Sequence, residues 1–455
     1  VQQQLLTIHK FFASFFQKRS PFWRAFLTLA FVLVGTRSPA QEPINTERHL
    51  GVNSCAGSTC HGKASTTKKT GVVQNEYLIW QKNDKHARAF TVLQGPLGRR
   101  IAANLGIDAE SGQCLSCHAD NVQPDRQGVQ FLLSDGVGCE ACHGGSEKWL
   151  GPHASGKIPH QELVSTYGLY PTDEPVARAR LCLTCHLGDE THVITHRIMG
   201  AGHPRLPFEL QTFTVIEPAH YVIDDVYRRR KAVAQGVQFW AVGQALALQQ
   251  LVTGLTSRPS REGAFPELVF FDCQACHHST NSLRWERRAS MGLDPGMPHF
   301  NDANGIMLRA IAARISPADG RSLESDILAL HRALSEGAGR PAPIAQRIAA
   351  TSGRLAEVFG AHEFSAGDMR VMLAALSQSA RNGDASDYAA AEQATMAFAS
   401  IIYTLNTEGS LDASQYASLR AALNRCYDAT QRPDSYDPRA FAAAAQSVAA
   451  VLPAS

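Results

Sequence analysis

The chain has 455 residues, with 43 Lys and Arg against 41 Asp and Glu, 11 Cys and 18 His. That length allows two or three domains and a sizeable core, and a formal net charge of +2 lacks the basic excess that nucleic-acid binding requires. Charged residues make up 18% of the chain, too few for a disordered polyelectrolyte, and 11 Cys over this length do not make a small disulfide scaffold.

Residues 1–40 hold five basic residues (Lys10, Lys18, Arg19, Arg24 and Arg37) and no acid. Twelve uncharged, mostly apolar residues lie between Arg24 and Arg37. The stretch is short for a membrane span and fits the apolar part of an export signal. Ser38-Pro39-Ala40 offers small residues for cleavage, which predicts a mature chain from Gln41; an uncleaved anchor is the alternative.

Residues 41–300 carry the cysteine pattern. Four segments read Cys-x-x-Cys-His: Cys114 to Cys117-His118, Cys139 to Cys142-His143, Cys182 to Cys185-His186 and Cys273 to Cys276-His277. A fifth, Cys55-Ala-Gly-Ser-Thr-Cys60-His61, has two extra residues between its thiols. Two thiols can add to the vinyl groups of one haem while the adjoining imidazole coordinates its iron, which is why the histidine follows the second cysteine. Zinc or redox use of a cysteine pair does not need that histidine. With 18 His in 455 residues, its chance recurrence in five of five pairs is roughly one in ten million for a motif read as haem attachment. The reading is five haem c groups. For the long-spaced motif, a disulfide or partial zinc site is the alternative.

Loss of the export segment removes His9 and leaves twelve histidines outside the motifs: His49, His86, His153, His160, His192, His196, His203, His220, His278, His299, His331 and His362. Five would give every iron a second imidazole. Such ligation closes the iron to substrates and leaves electron transfer as its work. His86 lies in a short helical stretch after Trp80. His153 follows the turn-rich Trp149-Leu-Gly-Pro. His196 and His203 flank Met199-Gly-Ala-Gly, where glycines let backbone approach a flat ring. These four are the predicted distal ligands. His192, His278 and His299 are weaker candidates. His49, His160 and His220 read as surface or propionate-contacting residues, and His331 and His362 as structural. Met199, Met291 and Met297 are alternative axial ligands. Arg228-Arg229-Arg230-Lys231 is a candidate propionate contact or a solvated helix face.

Glu174-Pro175 opens a helical run that presents the fourth motif. Val237 to Leu255 is apolar but holds four Gln, which reads as a buried helix and not a span. Residues 301–455 lack haem motifs and show helical periodicity. Leu323, Ile327, Leu330 and Leu334 form a stripe, Ser365-x-x-Asp368 is a capping-box pattern, Tyr388 to Leu405 is a helix, and Cys426 falls on an apolar face. The predicted class is mostly α: an irregular helical multihaem domain followed by a C-terminal helical bundle.

The arrangement resembles the multihaem cytochromes of the cytochrome c-554 type. The likeness lies in Gly51-Val-Asn-Ser-Cys55, Trp80 with Lys85-His86-Ala-Arg-Ala89, Cys139-Glu-Ala-Cys142-His143-Gly-Gly with Trp149-Leu-Gly-Pro-His153, His196-Arg-Ile-Met-Gly-Ala-Gly-His203-Pro-Arg-Leu, Trp240-Ala-Val-Gly-Gln244 and Cys273-Gln-Ala-Cys276-His277-His278. It spans residues 50–290 and excludes the C-terminal helices. It implies helical, irregular structure, closely packed haem pairs, periplasmic electron transfer with redox partner proteins, and His86, His153, His196 and His203 as ligands. The expectation is an electron carrier with no catalytic residue. The alternative is an oxidoreductase acting on nitrite, hydroxylamine or a sulfur oxyanion at one open iron, with Arg205 and Tyr221 available beside it. Docking to a membrane oxidoreductase complex through the C-terminal helices is compatible with the first reading.

Overall fold

A computed structural model describes residues 47–64, 73–189, 192–256, 267–277, 288, 290–294, 297–335 and 340–452, all within one compact unit, Pro43–Ser455. The predicted export segment 1–40 and His278 lie outside the described residues. Among the described residues the structure is helical and has no strand. Two isolated bridges, His49 with Gln127 and Phe271 with Phe300, are the extent of β pairing there.

The haem-motif part consists of short helices joined by turns. Three motifs end a helix on their histidine: Gly112–His118, Cys139–His143 and Pro175–His186. One helical turn then places the two thiols and the imidazole, at i, i+3 and i+4, on a single face. Pro175 occupies the first turn of the last of these helices, where its missing N–H costs nothing. In the motif at Cys273 the His277 N–H donates to Cys273 O at 2.7 Å. In the long-spaced motif the His61 N–H reaches the corresponding carbonyl, Cys55 O, at 3.1 Å. The extra residues are looped out, closed by Cys60 N to Gly57 O at 2.9 Å.

Gly236–Thr256 is the central helix. Val237, Trp240, Ala241, Val242, Ala245, Leu248 and Val252 are fully buried along it, so it is apolar on every side, as a helix enclosed by others must be. It packs on Pro175–His186, Leu210–Ile216, Ala303–Ile315, Pro341–Ala361 and Tyr388–Thr407. Its polar positions are paired: Asn304 donates to Gln244 Oε1 at 2.8 Å, and Gln244 donates to Gln393 Oε1 at 2.8 Å. The core around it is continuous from Ala179 to Val448. The helices after residue 300 therefore pack on the helix that carries the fourth motif. Among the described residues no helix is long and apolar enough to cross a membrane.

The C-terminal elements follow the periodicity. Ser365 and Asp368 form a reciprocal capping box on Ala366–Arg381. Tyr388–Thr407 is one helix, Leu323, Ile327, Leu330 and Leu334 face the core, and Cys426 is fully buried.

Candidate haem centres

Among the described residues, each of the five motif histidines faces one histidine from outside the motifs. The ring centroids are 6.0 Å apart for His61 and His153, 6.4 Å for His118 and His203, 6.3 Å for His143 and His220, 6.0 Å for His86 and His186, and 5.9 Å for His196 and His277. Two imidazoles in van der Waals stacking would sit closer. A metal bonded at about 2 Å to one nitrogen of each ring, with about 1.2 Å from nitrogen to ring centre, puts the centroids about 6.3 Å apart. All five spacings fit a six-coordinate haem iron.

The second nitrogen of several rings is already committed. Nδ1 of His61 hydrogen-bonds Glu76 Oε2 at 2.8 Å, and Nδ1 of His86 hydrogen-bonds Asp84 Oδ1 at 3.0 Å. Nδ1 of His118 meets Ala89 O, and Nδ1 of His203 meets Pro204 O, both at 2.8 Å. Each such bond fixes the tautomer and leaves Nε2 for a metal. Burial lowers the basicity of His118 and His153, that of His143 to about 3 and that of His186 to about 4. Neutral imidazole is the form that binds metal.

Local sequence explains how the partners are held. Asp84 accepts from the His86 N–H at 2.9 Å as well as from its ring, so one carboxylate sets both the turn and the imidazole. The His86 carbonyl accepts from Val137 N at 3.1 Å, and a Cβ at Gly136 would meet that carbonyl at 2.7 Å in a left-handed backbone (φ 74°). His153 lies in Leu150–Ala154 with the Trp149 ring edge-on to it. Thr195 caps the His196–Gly200 helix by accepting from Ile198 N. His203 follows, with its N–H on Ile198 O.

The thiols join the motifs to one another. None of the eleven cysteines forms a disulfide. The Cys55 thiol lies beside that of Cys139, and the Cys117 thiol beside that of Cys185, which also reaches Ser116 O at 3.7 Å. The first motif therefore adjoins the third, and the second adjoins the fourth. Asp84 and Glu217 stand with His86 in one cluster between the third and fourth. Asp84 also feels His220, and Glu217 feels both Cys142 and Cys182.

His86, His153, His196 and His203 all lie opposite a motif histidine. His220 does so as well and is not the surface or propionate-contacting residue that its sequence context suggests. Nothing in Pro218-Ala-His220-Tyr sets it apart; only the turn after Leu210–Ile216 carries it to His143. The other described histidines have carboxylate or aromatic partners. His49 pairs with Asp120 at 2.7 Å, His160 with Asp173 at 3.0 Å, His192 with Asp189 at 3.1 Å, His299 with Asp387 at 3.2 Å and His331 with Asp302 at 3.1 Å. The His362 ring is edge-on to Phe364.

Residues 54–144, which contain the first three motifs, match the family described as cytochrome c554 and c-prime. No curated protein and no solved structure matches the chain. With haem-attachment motifs, helical architecture and this match together, the chain is a c-type multihaem cytochrome resembling the cytochrome c554 family, and its class of work is electron transfer.

Proposed function

We propose that the chain carries five haem c groups, each bound through one cysteine pair and closed by two imidazoles, and relays electrons between redox partner proteins in the periplasm. Attachment is through Cys55 and Cys60, Cys114 and Cys117, Cys139 and Cys142, Cys182 and Cys185, and Cys273 and Cys276. The imidazole pairs that would hold the irons are His61 with His153, His118 with His203, His143 with His220, His186 with His86, and His277 with His196. The observation that carries this reading is the one-to-one facing of five motif and five non-motif rings at 5.9–6.4 Å. The export-type segment 1–40 supports the location. Residues 41–300 are the haem-bearing part and 301–455 its helical scaffold.

The haem irons supply the one-electron redox change. The protein's part is to hold each pair of imidazoles in place before and after it, so that little reorganises. Asp84, Glu76 and the carbonyls of Ala89 and Pro204 fix ring tautomers. The neighbouring thiols and the Asp84–Glu217 cluster support a succession of sites first, third, fourth, second. The fifth follows the second, because one short helix, His196–Gly200, separates His196 from His203.

The oxyanion-reductase alternative needs one iron without a second imidazole, and all five motif rings have a partner. The deciding experiment is haem quantification with electron paramagnetic resonance of the oxidised, fully loaded protein. Five haems per chain, all low-spin, are expected. A high-spin signal amounting to one haem in five would overturn the carrier reading in favour of an open site.

A further inference from the structure

The five candidate centres differ in what holds the non-ligating nitrogen of their imidazoles. At the first centre the acceptor is the Glu76 carboxylate, 2.8 Å from His61 Nδ1. At the fourth it is the Asp84 carboxylate, 3.0 Å from His86 Nδ1, with the Glu217 carboxylate in the same cluster. At the second centre both rings are satisfied by neutral backbone carbonyls, Ala89 O on His118 and Pro204 O on His203. A carboxylate acceptor draws the imidazole proton toward itself and gives the ring imidazolate character. Its own negative charge lies along the same axis. Both effects stabilise the ferric state, whose charge is one unit more positive than the ferrous, and lower the reduction potential. A carbonyl does the same far more weakly.

Neither carboxylate is an incidental surface contact. Glu76 has a half-buried side chain and also accepts from Gln74 N at 3.3 Å. Asp84 is 4% exposed and is held by the His86 backbone N–H as well as by its ring. Both are therefore fixed on the Nδ1 side of their imidazoles. Structural reasons alone do not require charge at these positions: at His118 and His203 a carbonyl suffices to fix the ring.

We propose that Glu76 and Asp84 set the potential profile of the relay, holding the first and fourth centres below the second. Along the succession first, third, fourth, second, fifth, an electron entering at the first centre meets both carboxylate-held sites before the second. Of these three centres the second is then the one toward which electrons equilibrate. This inference rests on the bis-imidazole reading above and names the residues that tune it.

The test is a spectroelectrochemical titration of the haem-loaded full chain, alongside the Glu76→Gln and Asp84→Asn variants. Haem content and low-spin signal are measured first in all three. Wild type with fewer than five haems, or with a high-spin iron, would defeat the underlying reading and not this inference. Given five low-spin haems, Glu76→Gln is expected to move one-fifth of the redox-linked absorbance to higher potential. Asp84→Asn is expected to move a different fifth upward, and the double variant both. Glu76→Asp, which keeps the charge, is expected to return most of the first shift. Unchanged midpoints in both single variants with intact low-spin spectra would overturn the inference. So would shifts spread equally over all five components, which would mark a general charge effect.

Discussion

His143 and His220 face each other with ring centroids 6.3 Å apart and planes at 90°, one ending the helix that carries the third haem motif and the other in the turn-rich stretch after Leu210–Ile216. Substituting His220 by Ala is expected to open one iron and no other. The oxidised holoprotein should gain a high-spin signal equal to about one haem in five, and its reduced form should bind carbon monoxide at one site. His362→Ala serves as the control, because the His362 ring is edge-on to Phe364 among the C-terminal helices. A His220→Ala protein that stays fully low-spin would refute the assignment.

That His220 faces a motif ring has no local sequence signal, whereas the segments of His86, His153, His196 and His203 have one, and the difference has a physical basis. Those four sit in local signals: a short helix after Trp80, a Gly-Pro turn and a glycine-flanked segment. His220 reaches its partner through the path of the chain, which local pattern does not encode. The C-terminal half shows the same division. The capping box at Ser365 and Asp368, the buried face of Cys426 and the all-round burial of Gly236–Thr256 follow from periodicity. That this helix packs on Pro341–Ala361, and so ties the fourth motif to the C-terminal helices, depends on contacts between distant parts of the chain.

The relative orientation of the paired rings predicts a second spectroscopic pattern. His61 with His153 and His196 with His277 are near parallel, at 10° and 29°. The other three pairs cross at 85–90°. Parallel axial planes split the iron d orbitals and give a rhombic low-spin spectrum, whereas perpendicular planes leave them nearly degenerate and give a single large low-field feature. Low-temperature spectra of the oxidised holoprotein are expected to resolve both classes, in a ratio near two to three.

Glu140 lies between the two cysteines of the third motif and is 2% exposed. Its carboxylate accepts from Leu50 N at 2.8 Å, Gly51 N at 2.7 Å and Ser146 N at 2.8 Å, binding the stretch before Cys55 to the third motif. Gly51 has φ 98°, and a Cβ there would strike Gln130 O, so this junction cannot shift to find other partners. Glu140→Ala strands three backbone donors and is expected to cost about 3 kcal/mol. Urea unfolding of the holoprotein should show it as a lower midpoint with an unchanged slope, and haem content of the first and third motifs should fall. Glu140→Gln keeps one good acceptor and is expected to cost less.

The C-terminal helix Tyr388–Thr407 grips the segment that follows His203. Arg205 pairs with Glu392 at 2.7 Å, Gln393 donates to Phe208 O at 3.0 Å and Ser400 donates to Glu209 at 3.0 Å. Phe208 in turn stacks on His186, with centroids 4.5 Å apart. Through one strap this helix thus reaches rings that face the second and fourth motifs. Combining Gln393→Ala with Ser400→Ala leaves the Phe208 carbonyl and the buried Glu209 carboxylate short of donors, at an expected cost of about 2 kcal/mol. A high-spin fraction from the second centre should accompany the loss and be reversed by added imidazole. Equal destabilisation without any change in spin state would mean that the strap supports the fold but not the ligand.

Buried beside the fifth motif is a charge network whose pH response has a definite sign. Burial alone would favour a neutral His299 ring, but the hydrogen bond and charge of Asp387 raise it to about 9. Arg288 also binds Asp387, and Asp272 faces the same cluster, with burial and then Asp387 pushing it up to about 7. A histidine with an ordinary value near 6.5 that is raised on folding adds stability that is complete below that value and is lost as pH climbs through the folded one. Asp272, raised from an ordinary value near 3.9, contributes a loss at lower pH by the same sign. These two groups are therefore expected to lower the urea midpoint from about pH 4 to 7 (Asp272) and from pH 6.5 to about 9 (His299). Asp272→Asn should remove the first part of that decline, and His299→Gln the second. A His299→Gln protein that keeps the wild-type slope between pH 7.5 and 9 would place the titrating group elsewhere.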